Sequence, residues 1–223
     1  MFACFAACAW YNVCMKMRFK IALALLALLI AAAAVVYGVI GIADARRLVI
    51  LDNEQIASVL EANEYNDESS QVIAEAAVSI AGKVHYFWGG KSRCIGPDPN
   101  WGELRTVTSS GSSTTGTERP FGLDCSGYIT WVYLQLGDES IIPKIGEGTW
   151  AQWQNSRPIE WEELTIGDLV FQNKYPGANA NHVAVCIGYY HDKPVFAHCS
   201  SAQDNVVVTT AGSVFRYARR PQI

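Results

Sequence analysis

Three residues in this chain are of the right type and spacing to make a thiol nucleophile with its base. Cys125 stands in the run Leu123-Asp124-Cys125-Ser126-Gly127-Tyr128-Ile129. Ile129, Val132, Tyr133 and Leu136 follow at helical spacing until Gly137, which predicts a helix starting at or near Cys125. Free N–H groups at a helix N-terminus stabilise a thiolate, so this position predicts a lowered thiol pKa and a reactive sulfur. The opposing reading is a buried, inert cysteine, which suits Cys186 between Val185 and Ile187. A nucleophile of this kind needs a base, and the chain has four histidines: His85, His182, His191 and His198. His191 lies in the turn Tyr190-His191-Asp192-Lys193, and His85 only precedes an aromatic cluster. His182 opens one strand-like run and His198 lies near the end of the next. If those runs form a hairpin, the two imidazoles meet across the sheet. One takes the thiol proton, and the other accepts the first ring's N–H and fixes its tautomer. Incidental placement of two strand histidines is the competing account.

A zinc site from Cys125, His182, His198 and Cys199 is a further alternative. Zinc needs its ligands to converge at about 2.0–2.3 Å. Neighbours on a strand face opposite ways, so His198 and Cys199 cannot readily share one ion. No metal and no cofactor is expected.

The elements that must position these residues are legible in outline. Asn53–Asn63 places Ile56, Val59 and Leu60 on one helical face. Asp67 or Ser69 can cap a second helix with a stripe of Val72, Ile73, Ala76, Ala77 and Ile80, ended by Gly82. Residues 91–122 are rich in Gly, Pro, Ser and Thr, the composition of a long surface loop that serves as linker or groove rim. After Trp161, strand-like runs appear at Asp168–Phe171, His182–Ile187, Val195–Cys199 and Val206–Thr209, separated by turn residues. Helices first and strands later imply an α+β domain with helices packed on an antiparallel sheet.

The composition narrows the classes. Of 223 residues, 50% are hydrophobic and 17% charged, which excludes general disorder. The net charge of −4 argues against a nucleic-acid partner. The charge is unevenly spread. Residues 1–43 hold Lys16, Arg18 and Lys20 and no acid, so 14 of the 17 basic and all 21 acidic residues lie beyond them, a net of −7. Ile21 to Ala43 is an uncharged run of 23 residues, roughly 34 Å as a helix at about 1.5 Å per residue and long enough for a bilayer core. Its basic flank predicts a cytoplasmic N-terminus and export of the residues after about 45. A retained anchor suits its length, and a cleaved signal suits the small-x-small run Ala43-Asp44-Ala45. Cys4, Cys8 and Cys14 match no zinc spacing, and Met15 or Met17 would open a more ordinary signal. The organisation read from the sequence is a basic N-terminus (1–20), an anchor or signal (21–43), a linker with a short helix (44–66) and a domain (67–223).

Asp124-Cys125-Ser126-Gly127-Tyr128 resembles the nucleophile motif of the NlpC/P60 cysteine peptidases. Four other pieces match in order: Tyr86-Phe87-Trp88-Gly89-Gly90, Gly167-Asp168-Leu169-Val170-Phe171, Asn181-His182-Val183-Ala184-Val185 and Phe196-Ala197-His198. The resemblance runs from about residue 68 to the end. It implies a papain-like core and a Cys-His-His triad in which Cys125 is the nucleophile, His182 the base and His198 its orienter. It also implies hydrolysis of peptide stems in bacterial peptidoglycan, most often between D-glutamate and the following diamino acid. By the same matching, Tyr86 reaches toward the nucleophile, and Asp124 and Ser126, with Tyr86 and Trp88, bind the substrate's amino end. Thr149 falls where a pocket-lining Ser or Thr is common. The Cys125 backbone N–H is the natural oxyanion donor at a helix start. The stretch from Gly90 to Asp124 is longer than the family's usual one, which leaves substrate preference open. Rival functions on the same scaffold are an amidase, an acyltransferase or a silent wall-binding module.

Overall fold

The computed structural model describes residues 25–32, 48–177, 181–210, 212 and 214–223. The chain divides into two units, Met1–Arg46 and Arg47–Ile223. In the first, residues 25–32 are helical (α1) and their leucines are exposed. The rest of the expected anchor at 21–43 lies outside the described residues, as do the basic stretch 1–20 and residues 44–47. Among the described residues no helix is long and apolar enough to cross a membrane.

The second unit opens with a short extended stretch and α2 (Asn53–Ala62). Asp52 caps this helix, its side chain accepting from Gln55 N while Gln55 bonds back to Asp52 N. Val59 is fully buried and Leu51 nearly so, both in the main core. The helix expected to lie in a linker therefore packs against the sheet and completes its hydrophobic face. The next helix, α3 (Glu68–Ser79), is capped by Asp67 through Ser70, and Ile73, Ala74 and Ala77 carry its buried stripe.

The loop expected over 91–122 has structure of its own. Strands β1 (Leu104–Thr106) and β2 (Glu118–Pro120) pair antiparallel. Val107 is buried and bonds through its backbone to Thr117 and Gly116. Side-chain bonds within Ser109–Thr117, such as Thr115 Oγ1 to Ser109 O, tie the turn together. Polar composition hides this hairpin, because its stability comes from local hydroxyl-to-backbone bonds rather than from an apolar pattern.

Helix α4 (Cys125–Leu134) is the central element, and all ten of its residues are buried. Two short helices follow, α5 (Ile141–Ile145) and α6 (Thr149–Gln154). Six strands then form one antiparallel sheet in the order β3-β8-β4-β5-β6-β7. They are β3 (Ser156–Pro158), β4 (Leu169–Phe171), β5 (Val183–Tyr190), β6 (Lys193–Ser200), β7 (Asn205–Thr210) and β8 (Tyr217–Pro221). Helices α2, α3 and α4 lie against β5. A smaller core of Val170, Ala184, Cys186, Phe196, Phe215 and Ala218 closes the other face. The β5–β6 turn has positive φ at both His191 and Asp192, the geometry that suits the twist of a two-residue hairpin. Leu51 N bonds to Val208 O, and Thr210 N to Val49 O, so residues 49–51 run antiparallel along β7.

Strands β3 and β8 carry charges and prolines in place of an apolar alternation, so periodicity does not reveal them. An ion pair between the buried Asp168 and the half-buried Arg220 helps hold β8. Asp168 accepts from Arg220 Nε at 2.8 Å and Nη2 at 2.7 Å, and from Thr165 N at 2.8 Å. Arg220→Leu strands that carboxylate in the interior with part of its hydrogen bonding gone. Breaking one side of a buried pair destabilises by about 3–5 kcal/mol. The expected loss of stability in urea unfolding lies at or below the lower end, since Arg220 is partly solvated and the Thr165 donors remain. An unchanged midpoint would show that the pair contributes nothing.

Candidate active site

Helix α4 starts at Cys125 because Asp124 caps it. The Asp124 carboxylate accepts from Gly127 N at 2.7 Å, and its carbonyl from Tyr128 N at 2.9 Å. The segment Tyr86–Lys91 lies over this first turn. Phe87 N bonds to Leu123 O, and Asp124 N bonds to Gly90 O. A Cβ on Gly127 would stand 2.1 Å from Gly90 O, so the approach requires glycine there. Tyr86 and Trp88 are thereby carried to a cleft of about 500 Å³ that Cys125, His182 and His198 also line. Trp88 Nε1 donates to Ser110 O at 2.9 Å, so the 109–117 turn braces that wall.

The histidines come together as the hairpin reading expects. Val185 pairs with Ala197 across β5 and β6, and extending this register puts His182 diagonal to His198 on one face of the sheet. Their Nε2 and Nδ1 atoms are 2.9 Å apart. His198 Nε2 lies 3.2 Å from Thr209 Oγ1 on β7. One assignment of protons satisfies the whole chain. His182 donates from Nε2 to His198 Nδ1, and His198 donates from Nε2 to the threonine hydroxyl. His182 Nδ1 then keeps its lone pair free for a proton. Phe215 stacks on His182, 5.5 Å between ring centroids, and meets His198 edge-on. This apolar packing holds both rings in place. Burial lowers His182 to about pKa 4. Burial, with the facing His182 ring, lowers His198 to about 3. Both rings are neutral at physiological pH.

The thiol departs from the expected state. Burial pushes Cys125 up to about pKa 12, and the adjacent Asp124 charge pushes the same way. The N–H groups of Val183 and Ser126 and the Lys91 ammonium pull it down by less. The helix N-terminus is present, but desolvation of a side chain that is 6% exposed outweighs it. The resting sulfur is a neutral thiol with a weak bond to Asn181 O at 3.9 Å. Burial, with the Cys125 and Asp124 charges, holds Tyr86 above the ordinary phenol range. Cys199 faces the other way on β6, its sulfur 3.1 Å from Leu123 O. Among the described residues no group of three or more His, Cys, Asp or Glu could hold a metal ion.

Three expected substrate contacts, Asp124, Ser126 and Thr149, are already occupied within the chain, and none of them lines the Cys125 cleft. Asp124 accepts from Gly89 N at 3.1 Å and from Ser126 Oγ at 2.7 Å, and it is ion-paired to Lys91. The Thr149 hydroxyl meets Tyr175 OH at 2.9 Å. Thr209, Phe215 and Lys91 join the site from outside the quoted motifs, and Asn181, which opens one of them, meets the Cys125 sulfur through its carbonyl. Extending the strand register one strand further would find Thr209. Nothing local marks Lys91 or Phe215.

The sequence profile of the NlpC/P60 family matches residues 82–216. No curated protein sequence matches the chain. Solved structures that resemble it include the peptidoglycan hydrolase RipB of Mycobacterium tuberculosis, at 19% identity and TM-score 0.48, covering 76% of this chain and 68% of that one. An NLP/P60-family protein of Staphylococcus aureus, similar to a lipoprotein, shares 26% identity at TM-score 0.45, covering 71% of this chain and 43% of that one. RipD of M. tuberculosis, a non-catalytic NlpC/p60 domain protein adapted to peptidoglycan binding, shares 18% identity at TM-score 0.48, with coverages of 69% and 98%.

Proposed function

The chain belongs to the NlpC/P60 family, and from that premise we propose that it is a cysteine peptidase acting on peptide stems of bacterial peptidoglycan, at the bond between D-glutamate and the following diamino acid. The observation that carries this reading is the single cleft shared by a cysteine at a helix start and a hydrogen-bonded pair of neutral histidines. In this mechanism the thiol gives its proton to His182 Nδ1 as the sulfur attacks the scissile carbonyl. His198 Nδ1 accepts the N–H of the resulting imidazolium. The Cys125 backbone N–H receives the developing oxyanion. His182 then protonates the leaving amine, and water hydrolyses the thioester with His182 again as base. A non-catalytic wall-binding module would need neither the thiol nor the imidazole chain.

Digestion of defined muropeptides, with products identified by mass, tests the proposal. The expected product carries a new free amine on the diamino acid. Cleavage between the sugar and the stem would make the protein an amidase, and a transferred acyl group would make it an acyltransferase. The same reading places the domain outside the cytoplasmic membrane, with residues 21–43 as anchor or cleaved signal. Sequencing the N-terminus of the exported protein distinguishes the two.

The pH profile is a further expected result. His182 acts as a base only while neutral, and its pKa is lowered from 6.5 to about 4. A lowered pKa moves the acid limb downward, so kcat/KM should hold through pH 6 and fall near about pH 4. The limb belongs to the coupled thiol–imidazole pair. A limb between pH 6 and 7, measured on a soluble muropeptide, would contradict a neutral buried imidazole.

A further inference from the structure

Lys91 is the unassigned charge nearest the nucleophile's helix. Its ammonium lies 2.8 Å from both Asp124 carboxylate oxygens and 2.9 Å from Ser126 Oγ. Asp124 immediately precedes Cys125 and caps its helix. The ion pair is sheltered, with the Asp124 side chain 11% exposed and that of Lys91 30%, and salt screens a sheltered pair weakly. Once the thiol ionises, two negative charges stand on adjacent residues, and like charges at such range disfavour each other.

We propose that Lys91 is a positioning residue for the thiol chemistry, its ammonium neutralising Asp124 so that a thiolate can form on the neighbouring Cys125. The proposal rests on the reading of Cys125 as the nucleophile. The ionisable groups around Cys125 come from every side. Asp124 precedes it, Tyr86 and Lys91 approach from the segment after α3, and Cys199 and His198 lie on β6 with His182 just ahead of β5. Burial keeps both histidines neutral, so of these groups Lys91 supplies the positive charge at neutral pH. Lys91 also fastens the Tyr86–Lys91 segment over α4, alongside the bond from Gly89 N to Asp124. A purely structural role would consist of this fastening alone, and the test separates the two.

The experiment measures the second-order rate of Cys125 alkylation by iodoacetamide in the full chain between about pH 6 and 9, with the labelled site identified by mass. In that range the rate follows the thiolate fraction. Lys91→Met should be slower by about tenfold at each pH, an offset of about one pH unit, while Lys91→Arg stays close to the parent. Asp124→Asn keeps a capping side chain and removes the opposing charge, so it should alkylate faster than the parent. The pair Lys91→Met with Asp124→Asn should recover most of the single-variant loss. A Lys91→Met rate equal to the parent's overturns the proposal, as does a double variant as slow as Lys91→Met. If Lys91→Met does not fold, Asp124→Asn decides, and an unchanged or lowered rate overturns it. Alkylation needs no peptidoglycan, so a protein inert toward muropeptides would still answer this question.

Discussion

With Cys125 as the proposed nucleophile, Cys125→Ala should yield a folded protein whose kcat/KM on defined muropeptides is lower by at least about 10⁴-fold, the scale of losing a covalent nucleophile. No other described thiol can substitute. Cys186 is buried in the smaller core and bonds to Gly188 O at 3.8 Å. Cys199 is buried against Leu123 O, and Cys94 lies outside the residues lining the cleft. The fold should survive, because the change removes one sulfur at the edge of the cleft and destabilises by about 1 kcal/mol or less. Circular dichroism and a thermal melt check the fold, and muropeptide kinetics check the loss. Iodoacetamide should inactivate the parent by labelling Cys125. Full activity in the alanine variant would remove Cys125 from the mechanism altogether.

The second large effect ranks the two histidines. On the proposed mechanism His182→Ala removes the group that accepts the thiol proton and returns it to the leaving amine, a general acid–base contribution of about 10²–10⁴-fold. In the same proposal His198 acts through His182. With the protons assigned as above, it accepts the Nε2 proton at 2.9 Å and donates its own N–H to Thr209. An amide oxygen can accept the same proton, so His198→Asn or His198→Gln should retain measurably more activity than His198→Ala. The ordering is therefore His182→Ala lowest, His198→Ala next and the amide variants above both. Kinetics on variants with parent-like melting curves would test it. A His198→Ala enzyme as active as the parent would show that the imidazole chain orients nothing.

Much of this site can be read from residues alone, for a physical reason. A helix start, a strand alternation and a two-residue turn are local, and each leaves its mark within a few residues. Asp67, the stripe of α3, the head of α4 at Cys125 and strands β4 to β7 are all visible in that way. The diagonal meeting of His182 and His198 needs more than the turn at His191 and Asp192: a one-residue register shift between Cys186 and Gly188 brings the two rings to one face, and no local signal marks that shift. The features that escape depend on residues distant in sequence. The ionisation state of Cys125 is set by burial among residues distant in sequence, Asn181 and Val183 among them, which no helix-start argument includes. Lys91 likewise meets Asp124 across a gap in sequence. Strands β3 and β8 are held by pairing and by the bond from Arg220 to Asp168, so their sequences need no apolar alternation. Helix α2 is legible as a helix, but its burial against β5 is not, because an amphipathic stripe does not name the surface it covers.

The run of residues 49–51 along β7 bears on how a working fragment is cut. A six-stranded open sheet has two edges, and an edge strand with free N–H and C=O groups invites pairing with another chain. The β3 edge is three residues long and carries Arg157 and Pro158, features that discourage a partner strand. The β7 edge reads Asn205-Val206-Val207-Val208-Thr209-Thr210, a β-branched run of the kind found in aggregating segments. Residues 49–51 occupy its outer hydrogen bonds. A fragment trimmed to the family match at 82–216 would uncover this run and discard the α2 side chains that bury the sheet's face. A fragment beginning at residue 48 keeps both, so the safe boundary for expression lies some thirty residues ahead of where family resemblance alone would put it.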